Sequence, residues 1–179
     1  MFRRLFTMLV ATVAIISTGA VGASAQGTDP ATHPIVGSWM WQVPGSSFGR
    51  SVLSVHVDGT TMGVGPLTSV GPDGKVGLTS PSVGSWEPTG PRTAHFTSVF
   101  YLSDLDGAYI GSITFDGSDT VAADGMTAFE EPGATVTIRD AQDHITAVLP
   151  GGGAAVTGVR IAVGAPGFPD ASPAASAAP

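Results

Sequence analysis

The tetrapeptide Val-Gly-Ser-Trp occurs twice, at Val36–Trp39 and Val83–Trp86, and an Asp-Gly pair follows each copy, Asp58-Gly59 and Asp106-Gly107. A Trp alternating with small residues suits a pleated, half-buried surface. Asp-Gly supplies the positive φ angles that a tight antiparallel hairpin requires. A chain carrying this pairing twice is constrained to strands joined by short turns. Its composition agrees: 25 of the 179 residues are Gly and 14 are Pro, and no stretch after the first two dozen residues keeps a helical period.

Read in order, Ile35–Val43 is the first strand, with Trp39, Trp41 and Val43 on one face. Pro44–Gly49 is a loop, and Ser51–Val57 alternates so that Leu53, Val55 and Val57 form the expected core face. Thr60–Leu67 returns across Asp58-Gly59, weakened by Gly63 and Gly65. Thr68–Ser82, around Asp73-Gly74, reads as a long loop or irregular hairpin. Ser82–Glu87 carries Trp86. Thr93–Ser103 is the longest run, its Ala94, Phe96, Ser98, Phe100 and Leu102 opposed to His95, Thr97, Val99 and Tyr101.

Ala108–Phe115 pairs back across Asp106-Gly107, and Ser118–Ala123 continues it past an expected kink at Asp116-Gly117. Met126–Phe129, Ala134–Arg139, His144–Leu149 and Ala154–Val163 complete the set. About eight to ten short strands predict an all-β domain, a single antiparallel up-and-down barrel that leaves no open edge, with a β-sandwich as the alternative.

The ends of the chain are of another kind. Arg3-Arg4, the apolar run Leu5–Val21 and the small-residue site Ala23-Ser24-Ala25 predict a signal peptide over 1–25, cleaved to begin at Gln26. Arg3-Arg4-Leu5-Phe6 also resembles a twin-arginine signal, but the short leader before it favours general secretion. Residues 26–34 form a polar lead-in, 35–163 the barrel, and 164–179 an Ala/Pro-rich tail of the composition expected to be disordered. About 130 residues suffice for one domain with a real core. With no cysteine there is no disulfide framework and no lipobox, and that core must hold the domain unaided.

The expected localisation is thus secreted or extracytoplasmic, with no stable membrane insertion. Without Arg3 and Arg4, five basic side chains face fourteen acidic ones. Such an excess lacks the basic footprint that nucleic acid or anionic lipid requires. A monomer is the expected state.

Gly37-x-Trp39 on the first strand, a meander after it and Arg160 near the end of the last strand resemble the lipocalin and wider calycin pattern. The second Gly-x-Trp adds a likeness to small secreted bacterial barrels and, distantly, to allene oxide cyclase barrels. The resemblance implies that Trp39 and Arg160 pack together at one barrel end, with Trp86 plugging a corresponding place. It also implies a small hydrophobic ligand inside, for which Trp41, His56, His95, Phe96, Phe100 and Tyr101 are the candidate contacts.

Catalytic signatures are sparse. Gly45-Ser46-Ser47-Phe48-Gly49 fits G-x-S-x-G, but a nucleophile elbow needs a strand-to-helix turn in an α/β setting. His33, His56, His95 and His144 show no metal-binding spacing, although His56 and His95 can converge inside a barrel with Asp104 or Glu87. The Asp-Gly pairs lack calcium-loop spacing, and Gly151-Gly152-Gly153 lacks the Lys and helix of a phosphate cradle. No cofactor is implied. The expected function is a secreted, non-catalytic binding module holding a small apolar ligand in the barrel or a partner at its rim. The alternatives are a cyclase- or isomerase-type enzyme and a structural envelope protein. What faces inward decides among them.

Overall fold

The computed structural model describes residues 28–44, 49–70, 75–152 and 155–164. The predicted leader, most of the tail, Ser47 of the G-x-S-x-G match, the Asp73-Gly74 turn and Gly153 of the triple glycine lie outside the described residues.

Among the described residues twelve strands form one antiparallel sheet: β1 Gly37–Gln42, β2 Arg50–Val55, β3 Thr60–Val64, β4 Thr68–Val70, β5 Val76–Thr79, β6 Ser82–Pro88, β7 Thr93–Ser103, β8 Tyr109–Val121, β9 Thr127–Glu130, β10 Thr135–Asp140, β11 Ile145–Pro150 and β12 Thr157–Arg160. Eight of them, β1, β2, β3, β6, β7, β8, β9 and β12, pair successively, and β12 closes onto β1. This is an up-and-down barrel of eight strands. Asp-Gly hairpins build it as the sequence requires, with Gly59, Gly107 and Gly125 at φ of 84°, 87° and 70°.

Two hairpins are spliced into the meander. β4–β5 joins the edge of β7 through Leu78↔Ser103 and Thr79↔Leu102, while β10–β11 joins the edge of β8 from Gly111 to Asp116. β7 and β8, 11 and 13 residues long, therefore run through the barrel wall and out beyond its mouth. There they become the centre of an open six-stranded flare, ordered β11-β10-β8-β7-β5-β4.

The core fills the barrel axis. Ile35, Trp39, Trp41, Val55, Trp86, Ala94, Phe96, Val121, Ala128 and Val156 form one buried cluster, with Leu53 and Val43 packed against it. Trp39 and Trp41 alternate inward as the period-two pattern requires, and so do Ala94 and Phe96.

Two expectations need correction. Val57 is 56% exposed, because β2 ends at Val55 and the chain is already turning into Asp58-Gly59. The kink foreseen at Asp116-Gly117 is absent: β8 runs unbroken, and Gly117 keeps the ladder close by leaving room for Ala134, whose Cβ would stand 2.6 Å from an added side chain. The Thr68–Ser82 segment resolves into the β4–β5 hairpin.

The lead-in is not merely polar. His33 is buried, accepts the Ile35 amide at Nδ1 (3.2 Å) and donates from Nε2 to the Gly90 carbonyl (3.0 Å). Its ring lies 5.5 Å from that of Trp86, tying the lead-in to the barrel end.

Candidate functional site

The closed end is built by the repeat. The Arg160 guanidinium sits 4.3 Å over the Trp39 ring, so the Trp/Arg closure that the resemblance implied is present. Arg160 also donates to the carbonyls of Gly125 (2.7 Å), Val36 (2.8 Å) and Pro34. Gly37 makes this possible: a Cβ there would stand 2.6 Å from Arg160 Nη1, and its φ of 136° disfavours any other residue. The second copy uses its glycine differently. A Cβ on Gly84 would strike the Thr97 carbonyl and Ser98, so Gly84 lets β6 and β7 approach closely.

Both repeat indoles are satisfied. Trp39 Nε1 donates to Ile35 O and Trp86 Nε1 to His56 O, each at 2.7 Å. Trp86 plugs the same end, stacked on Phe96 with ring centroids 6.5 Å apart. Trp41 differs. Its ring lies over Gly158, where a Cβ would meet it at 3.0 Å, and its Nε1 is buried with no hydrogen-bond partner among the described residues.

Two carboxyl groups also face the interior. Asp119 and Glu130 stand opposite each other on β8 and β9 and are 5% and 2% exposed. Directly paired side chains start about 5 Å apart. Burial pushes the Asp119 carboxyl well above the ordinary carboxylate range, and the charges of Glu130 and then Glu131 push it further. Gly151 gives the Glu130 carboxyl its space, since a Cβ there would lie 2.6 Å from Oε1. Sequence reading missed this pair. The available signal was parity: Asp119 shares the inward set of Val121, and Glu130 that of Ala128. Among the described residues no group of three or more His, Asp or Glu is disposed to hold a metal.

The candidate ligand contacts divide among three places. Trp41 and Phe96 are in the barrel core. His56 and His95 do not converge inside, which corrects that expectation. His56 is exposed at the closed end, beside a shallow cleft of about 340 Å³ that also includes Val57 and Asp58. His95 points outward from β7, its Nε2 3.3 Å from Asp116 and its Nδ1 3.2 Å from Ser118 Oγ. The alternation of β7 dictates this, since His95 lies between inward Ala94 and Phe96. Phe100 lies on the inward face but beyond the mouth, paired with Ile113.

Tyr101, 56% exposed, lies on the outer face of the flare. Its ring meets Tyr109 edge-on at 5.8 Å. Leu78, Thr79, Ser80, Leu102, Ser103 and Gly107 join the two tyrosines around an open cleft of about 340 Å³. The Ser80 hydroxyl accepts the Tyr101 amide (2.9 Å) and donates to the Pro81 carbonyl (2.7 Å), which fixes that wall. Leu78 and the two rings provide apolar surface, and the phenol groups provide polar handles at its border. Compared with known proteins, the chain matches no protein family, no curated protein and no solved structure.

Proposed function

We propose that this chain is a secreted, non-catalytic binding module of lipocalin-like build whose small, largely apolar ligand sits in the rim cleft between Tyr101 and Tyr109. The carrying observation is that aromatic pair, exposed on a rigid two-strand support and bordering a volume within the usual range of about 300–1,000 Å³ for small-ligand sites. The interior is a weaker place for a ligand, because three indoles and Phe96 already occupy the axis. Two amphipathic aromatic rings and a Leu suit a flat hydrophobic molecule with one hydrogen-bonding group.

The test is fluorescence titration of the mature domain with N-phenyl-1-naphthylamine, a neutral apolar probe. Saturable binding weakened about tenfold or more by Tyr101→Ala is expected, since losing one aromatic wall removes on the order of 1.5 kcal/mol. Absence of saturation, or an unchanged midpoint in that variant, would reject the cleft.

A second reading, an enzyme of the cyclase or isomerase kind, is favoured by one observation: Asp119, its pKa raised by burial, stands opposite the equally buried Glu130, an arrangement suited to a buried proton donor. That reading requires the interior to open to substrate. Turnover of a small apolar substrate that survives Tyr101→Ala but is lost in Asp119→Asn would establish it over the binding module.

A further inference from the structure

The face of the sheet that lines the barrel does not end at the mouth. Along β7 it continues from Ala94 and Phe96 to Phe100 and Leu102, and along β8 from Asp119 and Gly117 to Phe115 and Ile113. Register carries it outward: Phe115 opposes Val136, Ile113 opposes Ile138, and Val136 in turn opposes Leu149. Inside the barrel this face packs on the buried cluster. On the flare none of these residues belongs to that cluster; Leu102, beside the β5 edge, is 6% exposed, but Phe100, Ile113, Phe115, Val136 and Ile138 are half-buried and Leu149 is 48% exposed. An apolar sheet face is stable when a second layer covers it. Among the described residues no helix or second sheet supplies one.

We infer that this face binds a second copy of the chain, the two flares packing face to face about a two-fold axis. Three observations select that occupant. The face is uncharged from Phe100 to Leu149, with Asp140 at its far border, so it offers nothing to a charged partner and matches itself. The chain outside the described residues on the C-terminal side starts after Gly164, at the closed end beyond Arg160, and Phe168 is its one large apolar side chain. It cannot substitute for a layer.

The third observation is size. Six strands about 4.8 Å apart, each contributing about five residues of about 3.3 Å, give a footprint of roughly 500 Å² per copy. The pair then buries about 1,000 Å², the lower limit for a specific interface. An interface at that limit belongs to the weak, exchanging class, so the dimer population follows concentration. The outer face with the Tyr101–Tyr109 cleft stays open, so dimer and ligand cleft stand or fall separately.

Sedimentation velocity of the mature chain over a concentration series provides the test, with Ile138→Lys as the disrupting variant and Thr137→Lys, on the opposite face of the same strand, as its control. Wild type and Thr137→Lys should shift from monomer to dimer as concentration rises. Ile138→Lys should remain monomeric while retaining the wild-type tryptophan emission. Should Ile138→Lys unfold, Ala147→Cys takes its place. The chain has no other cysteine, so oxidation should yield a crosslinked dimer from that inner-face position and none from Thr137→Cys.

A wild-type chain monomeric at every concentration would overturn the inference, as would equal loss of dimer in both lysine variants. A monomer that turns dimeric once residues 165–179 are deleted would assign the face to the tail instead. A monomer that co-sediments with phosphatidylcholine vesicles, and loses that in Ile138→Lys, would assign it to lipid. Either result overturns the second copy.

Discussion

At the residue scale, Arg160 and Trp39 show how one contact serves several constraints. The indole is fully buried and donates to Ile35, while the guanidinium covers it and satisfies three carbonyls that the barrel end would otherwise leave to water. A cation over an indole contributes about 0.5–2 kcal/mol by degree of desolvation, and truncating a buried Trp costs about 3–5 kcal/mol. Measured by denaturant unfolding, Arg160→Ala and Trp39→Ala should therefore be non-additive, with a coupling above about 0.5 kcal/mol. Additive losses would mean that the guanidinium acts through its carbonyl partners alone.

At the scale of elements, β7 is one strand with two environments. Phe96 and Phe100 share a face four residues apart, yet Phe96 is 3% exposed against Trp86 while Phe100 has passed the mouth and is half-buried. Equal chemistry should thus give unequal losses. Phe96→Ala should cost about 3–5 kcal/mol and Phe100→Ala less than about half of that in the monomer, because the cost follows the cavity left in packed surroundings. Urea unfolding of both variants in the monomeric Ile138→Lys background checks this. Equal losses would show the flare to be as tightly packed as the barrel.

At the scale of the whole molecule, buried Asp119 contributes to the response to pH with a sign opposite to that of the exposed turn aspartates. The folded state raises the Asp119 pKa, first by burial and then through Glu130 and Glu131. Its contribution is fully present below the unfolded value of about 3.9 and is lost as pH rises through the folded value. Exposed Asp58 and Asp124 act oppositely: hydrogen bonds from Thr60, and from Met126 and Thr127, lower their pKa, so their contribution is lost as pH falls through the folded values. Asp119→Asn should isolate the first effect. Relative to wild type, its stability should improve as pH rises from the unfolded value of about 3.9 through the folded value, as followed by the thermal midpoint. A wild-type-to-variant difference independent of pH would place an ionised Asp119 in the fold.

Much of this architecture is local chemistry and was legible in the chain. Asp-Gly pairs fix the hairpins at Gly59, Gly107 and Gly125 because few other dipeptides tolerate the required φ, though Asp116-Gly117 lies within β8, and alternation assigned Trp39, Trp41, Ala94 and Phe96 to the core one strand at a time. Gly-x-Trp with a distant Arg160 even indicated the closed end. Alternation could not reveal how far a strand outlasts its barrel. Phe100 carries the same inward parity as Phe96, and only the end of the β6 pairing at Val99 places it outside. Nor could it bring Asp119 and Glu130 together, or carry His56 and His95 apart. Each residue's side of the strand is a local property, whereas what lies on that side depends on which strands meet there.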